Sequence, residues 1–134
     1  MVEKFTILLY AAAATTLIAG SLHINKFIDT ISSGEQIGNP DILFLIGGIA
    51  QVFWIVPIIR QWGKIWYSIG IAGTTVFILL WVITRIPDNP ITGKAGPIGA
   101  EALVIQVFQI AFIILSGIIL VKSTKTKNTR IKAN

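Results

Sequence analysis

The chain has 134 residues and a formal net charge of +5, yet only 13% of its residues are charged, 54% are hydrophobic and the mean hydropathy is +0.78. That length suits one domain, and that composition excludes an ordinary soluble one. The absence of cysteine excludes disulfides, thiolate metal sites and a cysteine nucleophile.

The charges gather into short blocks separated by four uncharged stretches, at residues 5–24, 42–59, 65–84 and 102–121. A helix rising about 1.5 Å per residue needs about 20 apolar residues to cross a bilayer core. None of the four stretches carries a polar face, so the pattern predicts an all-α, four-transmembrane-helix bundle in one domain over 1–121, followed by a basic tail at 122–134.

The first stretch follows a short charged start and contains small residues at 11–14 and 18–21, which a cleavable signal also uses. Its full spanning length favours a retained helix. Ala11, Thr15, Ala19 and His23 recur every fourth residue, with Ala12, Thr16 and Gly20 beside them, which gives a broad small-residue face for close helix packing. Residues 25–41 follow, with Phe27, Ile28 and Ile31 spaced for a short amphipathic continuation on the membrane surface. Gly38-Asn39-Pro40 then turns the chain, and Asp41 is expected to cap the second helix.

Pro57 predicts a bend near the end of the second helix. Residues 60–64, RQWGK, make a tight turn, so helices two and three are antiparallel neighbours. Trp62, Trp66 and Tyr67 stand where an interfacial aromatic belt belongs. After the third helix, residues 85–101 read RIPDNPITGKAGPIGAE, where three prolines and repeated glycines exclude regular structure but favour an ordered loop. Its GKAGPIG lacks the lysine–serine/threonine ending and the preceding strand of a phosphate loop.

Cytoplasmic termini place Lys4, Arg60, Lys64, Lys122, Lys125, Lys127, Arg130 and Lys132 inside, against Lys26, Arg85 and Lys94 outside, eight to three. This is the direction of the positive-inside rule and predicts a multi-pass protein of the plasma membrane. The tail, with no acid and no apolar cluster, has the composition of a disordered segment and serves as an anchor on anionic headgroups rather than on nucleic acid.

No ionisable side chain falls mid-membrane. His23, Asp88 and Glu101 all gather at the outer end, where an imidazole and two carboxylates are a candidate metal site for copper or zinc, thin by the usual count of imidazoles. The competing expectation is a His23–Glu101 pair stapling two helix ends. Gln51, Gln106 and Gln109 are the remaining polar bundle positions, suited to interhelical hydrogen bonds or to a small polar solute. No catalytic residue is assigned, and an enzyme is not the favoured reading.

The runs GGIAQVFWIVPIIRQWGKIWYSIGIAGT at 47–74 and WVITRIPDNPITGKAGPIGAE at 81–101 resemble a family of small four-helix membrane proteins of archaea, including ammonia oxidisers. The resemblance spans roughly 22–120 and is most specific in the proline-rich loop, where Lys94 replaces a commoner arginine. It implies an extracytoplasmic functional end and a link to copper-based membrane metabolism, but no reaction. Four-helix multidrug transporters need a glutamate within the first helix, which this chain lacks. The function expected is a non-catalytic accessory subunit of a larger membrane complex, of the copper-dependent ammonia-monooxygenase type, with other membrane subunits or further copies as partners. The alternative is a stand-alone metal or small-molecule binder with its site at the extracytoplasmic face.

Overall fold

In a computed structural model of the protein, the backbone is described for residues 2–132 and the side chains for residues 3–123. The described chain is all-helical, with α1 at Val2–Ser32, α2 at Asn39–Phe53, α3 at Ile55–Ile59, α4 at Lys64–Ile83 and α5 at Ala100–Lys132. α2 and α3 together form one apolar rod, so four helical segments are long and apolar enough to cross a membrane.

The distribution of apolar surface is that of a bundle meant for lipid. Only 17 to 33% of each apolar window is buried inside the molecule. Ile65, Ile7 and Val107 are 72%, 66% and 64% exposed, and a continuous apolar exterior of this kind is not tolerated in water. The interior is built from small side chains. Ala12, Ala19 and Thr16 are fully buried on α1, with His23 one turn above Ala19 on the same face. The expected small-residue face therefore exists, centred on the Ala12–Thr16–Gly20 row.

That face lets α1 sit against α2, α3 and α5, while α4 closes the bundle against α5 and α3. Gly20 and Gly48 mark the closest crossing. A Cβ on Gly48 would stand 2.6 Å from the Ile24 side chain and 2.8 Å from the Gly20 carbonyl oxygen. The Thr16 hydroxyl, one turn away, donates to the Gln51 carbonyl at 2.9 Å and bridges the same two helices. Leu9, Ala12, Ala13, Ile58, Tyr67, Phe112 and Ile119 form the apolar core toward the other end.

The rod of α2 and α3 breaks at Trp54, one turn before Pro57. Proline has no N–H to offer the carbonyl four residues back, at Phe53, so the helical hydrogen bonding is interrupted there. The Trp54 indole N–H donates to the Trp66 carbonyl at 3.1 Å, and the Tyr67 hydroxyl donates to the Ile58 carbonyl at 3.2 Å. The turn itself closes by Gln61 N–H to Ile58 and Trp62 N–H to Pro57, with Gln61 at φ 51. This double bond around a left-handed residue is a Schellman motif, filled by glutamine instead of the usual glycine. Beside it Trp62 and Trp66 pack edge to face with ring centroids 4.9 Å apart, and Trp54 lies tilted against Trp66.

Three expectations need correction. Residues 25–32 do not form a separate surface helix but extend α1 without a break, because no glycine or proline falls between Gly20 and Gly34. Asp41 is not the cap of α2. Gly38 is, and the Asp41 carboxylate reaches back to accept its N–H at 2.8 Å while also accepting the Thr30 hydroxyl at 3.1 Å. Helical backbone also continues beyond 121 as far as Lys132, since the lysine- and threonine-rich sequence contains no breaker. The side chains expected to form the basic anchor, Lys125, Lys127, Arg130 and Lys132, lie outside the described residues.

Candidate functional site

The loop between α4 and α5 is ordered by one buried side chain. Asn89 accepts from the N–H groups of Ile91 and Thr92 at 3.1 and 2.8 Å, a local Asx arrangement. Its amide N–H₂ donates to the carbonyls of Ile86 and Lys94 at 2.9 and 3.0 Å. The Thr92 hydroxyl completes the knot by donating to the Lys94 carbonyl at 2.7 Å. Asp88 just before it and Gly93 just after it take φ values of 53 and 68.

From this knot the chain folds back over the top of α4. Gly96 N–H donates to the Thr84 carbonyl at 2.8 Å, and a Cβ on Gly96 would lie 3.0 Å from the Arg85 guanidinium. A larger residue at 96 would press on the guanidinium. Arg85 is pinned in turn by its bond to the Thr84 hydroxyl at 2.9 Å and by the face of Trp81, 5.0 Å from the guanidinium carbon. Partial burial lowers the guanidinium from its ordinary value, but it keeps its charge at neutral pH.

Beneath the loop lies a cavity of about 360 Å³, bounded by α1, α2, α4, α5 and the loop itself. Phe77, Leu80 and Trp81 line it from α4, and Thr84 and Arg85 from the turn just beyond. Its rim carries Lys26, Arg85, Lys94 and Glu101, its waist Leu43, Leu80, Trp81 and Ile105, and its floor His23, Phe44, Phe77 and Gln106. The walls are mainly apolar with a few convergent polar groups, the usual make-up of a small-molecule site.

The floor is organised by an interhelical bond that joins α1 to α5. Gln109 Nε2 lies 3.0 Å from His23 Nε2. The amide and the imidazole share one hydrogen bond, its donor set by the ring tautomer and the orientation of the amide. Phe44 stacks on the ring with centroids 5.5 Å apart, and Phe77 leans on it at 6.2 Å. His23 Nδ1, Gln106 Oε1, Trp81 Nε1 and Arg85 Nε are all buried without a hydrogen-bond partner.

The residues expected at the site are therefore only partly brought together. His23 and Glu101 line one cavity, but they do not pair with each other. Glu101 meets Lys26 at 3.5 Å, and His23 meets Gln109. Asp88 is exposed on the loop. Among the described residues no group of three His, Cys, Asp or Glu side chains converges on a metal position, so the three do not form the expected ligand set. The reason is height. α1 runs past the apolar layer, and Lys26, almost one turn above His23, reaches the start of α5 first.

The glutamines also separate. Gln106 faces the floor of the large cavity, and Gln109 lies behind it against His23. Gln51 lines a smaller cavity of about 90 Å³ with Thr16, Trp54 and Thr74. Phe77 lines both spaces, so the three do not form one polar track. Arg85, Trp81, Asn89 and Gly96 were not read as site residues from sequence. The N-P-I-T-G run held the available signal, an asparagine followed by the small and hydroxyl residues of an Asx turn. Compared with family models, curated proteins and solved structures, the chain finds no match in any of the three.

Proposed function

We propose that the protein is a multi-pass protein of the plasma membrane, with both termini in the cytoplasm, that binds a small amphiphilic molecule in the cavity at its extracytoplasmic end. The observation that carries this reading is the floor of that cavity. His23 and Gln106, on separate helices, line that floor, and each carries a buried polar atom, Nδ1 and Oε1, without a hydrogen-bond partner. Buried polar groups are rarely orphaned, and leaving one unpaired costs about 1–3 kcal/mol. A guest with an apolar body and a hydrogen-bonding end would recover that cost.

Mass spectrometry of solvent extracts from the purified protein tests the reading. The wild type is expected to carry a stoichiometric small molecule that an Ala102→Phe variant, which fills the cavity from α5, has lost. Equal extracts from both proteins would sink the idea.

A second reading, as a subunit of a larger membrane complex, is favoured by α4. Ser68, Ala72 and Thr75 are exposed along one outward stripe of this helix, and small residues are what helices in lipid present to one another. Migration of the gently solubilised protein at the mass of a single chain, with nothing copurifying, would remove this reading.

A further inference from the structure

The rim of the cavity says which end group its guest carries. Three cationic residues, Lys26, Arg85 and Lys94, stand there with a single acid, Glu101. Lys26 already engages Glu101 at 3.5 Å, which leaves two positive charges unbalanced. Among the described residues, no carboxylate lies within ion-pairing distance of Arg85 or Lys94. The guanidinium is also fixed before any ligand arrives, by Thr84, by the Trp81 face and by the loop at Gly96. A preorganised fork with unused N–H donors is built for a planar or tetrahedral anion. Its Nε is buried and unpartnered.

The size of the space fixes the rest. At ~30 Å³ per water-sized group, a cavity of 360 Å³ holds about a dozen non-hydrogen atoms. That suits a stem of about ten carbons rather than a whole phospholipid.

We infer that the cavity takes a slender organic acid, its anionic group held at the rim by Arg85 and Lys94 and its hydrogen-bonding far end at the His23–Gln106 floor. This rests on the small-molecule reading above and names the chemical class of the guest. The same chemistry is available from a free acid or from the acid group of a membrane lipid dipping into the rim.

Binding of radiolabelled ω-hydroxydecanoate to the full chain in phosphatidylcholine nanodiscs tests the inference, with unlabelled decanediol as a competitor of similar length that differs at the rim end. Saturable binding that decanediol displaces at least about tenfold less well than the unlabelled acid is expected, that factor being typical for loss of a charge-assisted bond. Arg85→Gln should weaken the acid by a similar factor. Lys94→Gln, on an exposed side chain that supports nothing else, should weaken it several-fold with unchanged circular dichroism. Equal displacement by diol and acid, or acid binding indifferent to Lys94→Gln, would overturn the acid and leave the small-molecule reading in place. Absence of saturable binding by any of the probes, together with equal extracts from the wild type and Ala102→Phe, would remove both. Adding phosphatidylglycerol to the nanodiscs distinguishes the sources. Competition by that lipid supports a bilayer acid, and its failure to compete supports a free one.

Discussion

Asn89 holds four part-buried backbone groups with one side chain. Truncation to alanine leaves the Ile91 and Thr92 N–H groups and the Ile86 carbonyl to find water, while the Lys94 carbonyl keeps the Thr92 hydroxyl. At about 1–3 kcal/mol for each group that fails, a loss of roughly 2–4 kcal/mol is expected after local relaxation. Thermal denaturation in detergent measures it, and Asn89→Asp, which keeps the acceptor but not the donors, should fall between. The His23–Gln109 pair makes a sharper case. Gln109→Leu leaves the imidazole without its bond and should destabilise the bundle by about 1–3 kcal/mol, while the double change His23→Leu/Gln109→Leu should recover part of that loss. An additive double-mutant cycle would contradict the pairing. At this scale the sequence spoke unevenly. His23 was legible as a buried polar residue from the four-residue spacing along α1. Its partner was not, because Gln109 and Glu101 are two turns apart on α5 and only the relative height of the helices decides between them.

The four apolar elements were legible because the period of charge blocks matches the thickness of a bilayer, whatever the helices pack against. Their ends were not. Hydropathy marks where lipid begins, while helical hydrogen bonding persists until a breaker intervenes. α1 continues to Ser32 until Gly34 takes φ 72, and α2 begins at Asn39, three residues before the apolar stretch. Pro57 was read correctly as a disturbance, since the missing N–H is a property of one residue and needs no tertiary context. The turn that follows holds a local strain. Gln61 sits in the left-handed region, where a side chain costs about 1–2 kcal/mol. Gln61 is exposed, so Gln61→Gly should stabilise the α3–α4 turn by about 0.5–1 kcal/mol and raise the melting temperature. The opposite sign is expected at the α1–α2 crossing. Gly48→Val would push against the Gly20 backbone and the Ile24 side chain, forcing the helices apart, and should lower stability by several kcal/mol as overpacking does.

For the whole molecule, the cavity illustrates what a one-dimensional reading misses. Its rim and floor come from four helices and a loop, and no local pattern announces that Lys26, Arg85 and Gln106 share one space. The direction of the bundle, by contrast, rests on a one-dimensional quantity. Eight basic residues flank the termini and the 60–64 turn, and three flank the other end, an imbalance that insertion machinery reads as cytoplasmic against external. The chain has no cysteine, so single introduced thiols report on sidedness without background. Glu35 lies exposed in the link between α1 and α2, and Gln61 lies exposed in the turn before α4. In intact cells a membrane-impermeant maleimide should label Glu35→Cys at once and Gln61→Cys only after permeabilisation. Reversed labelling would move the cavity to the cytoplasmic side and with it the pool of acids that can reach it. Labelling of both thiols from one side would go further, since residues 35 and 61 stand at opposite ends of the α2–α3 rod and a rod that crosses the bilayer cannot expose both ends to the same compartment.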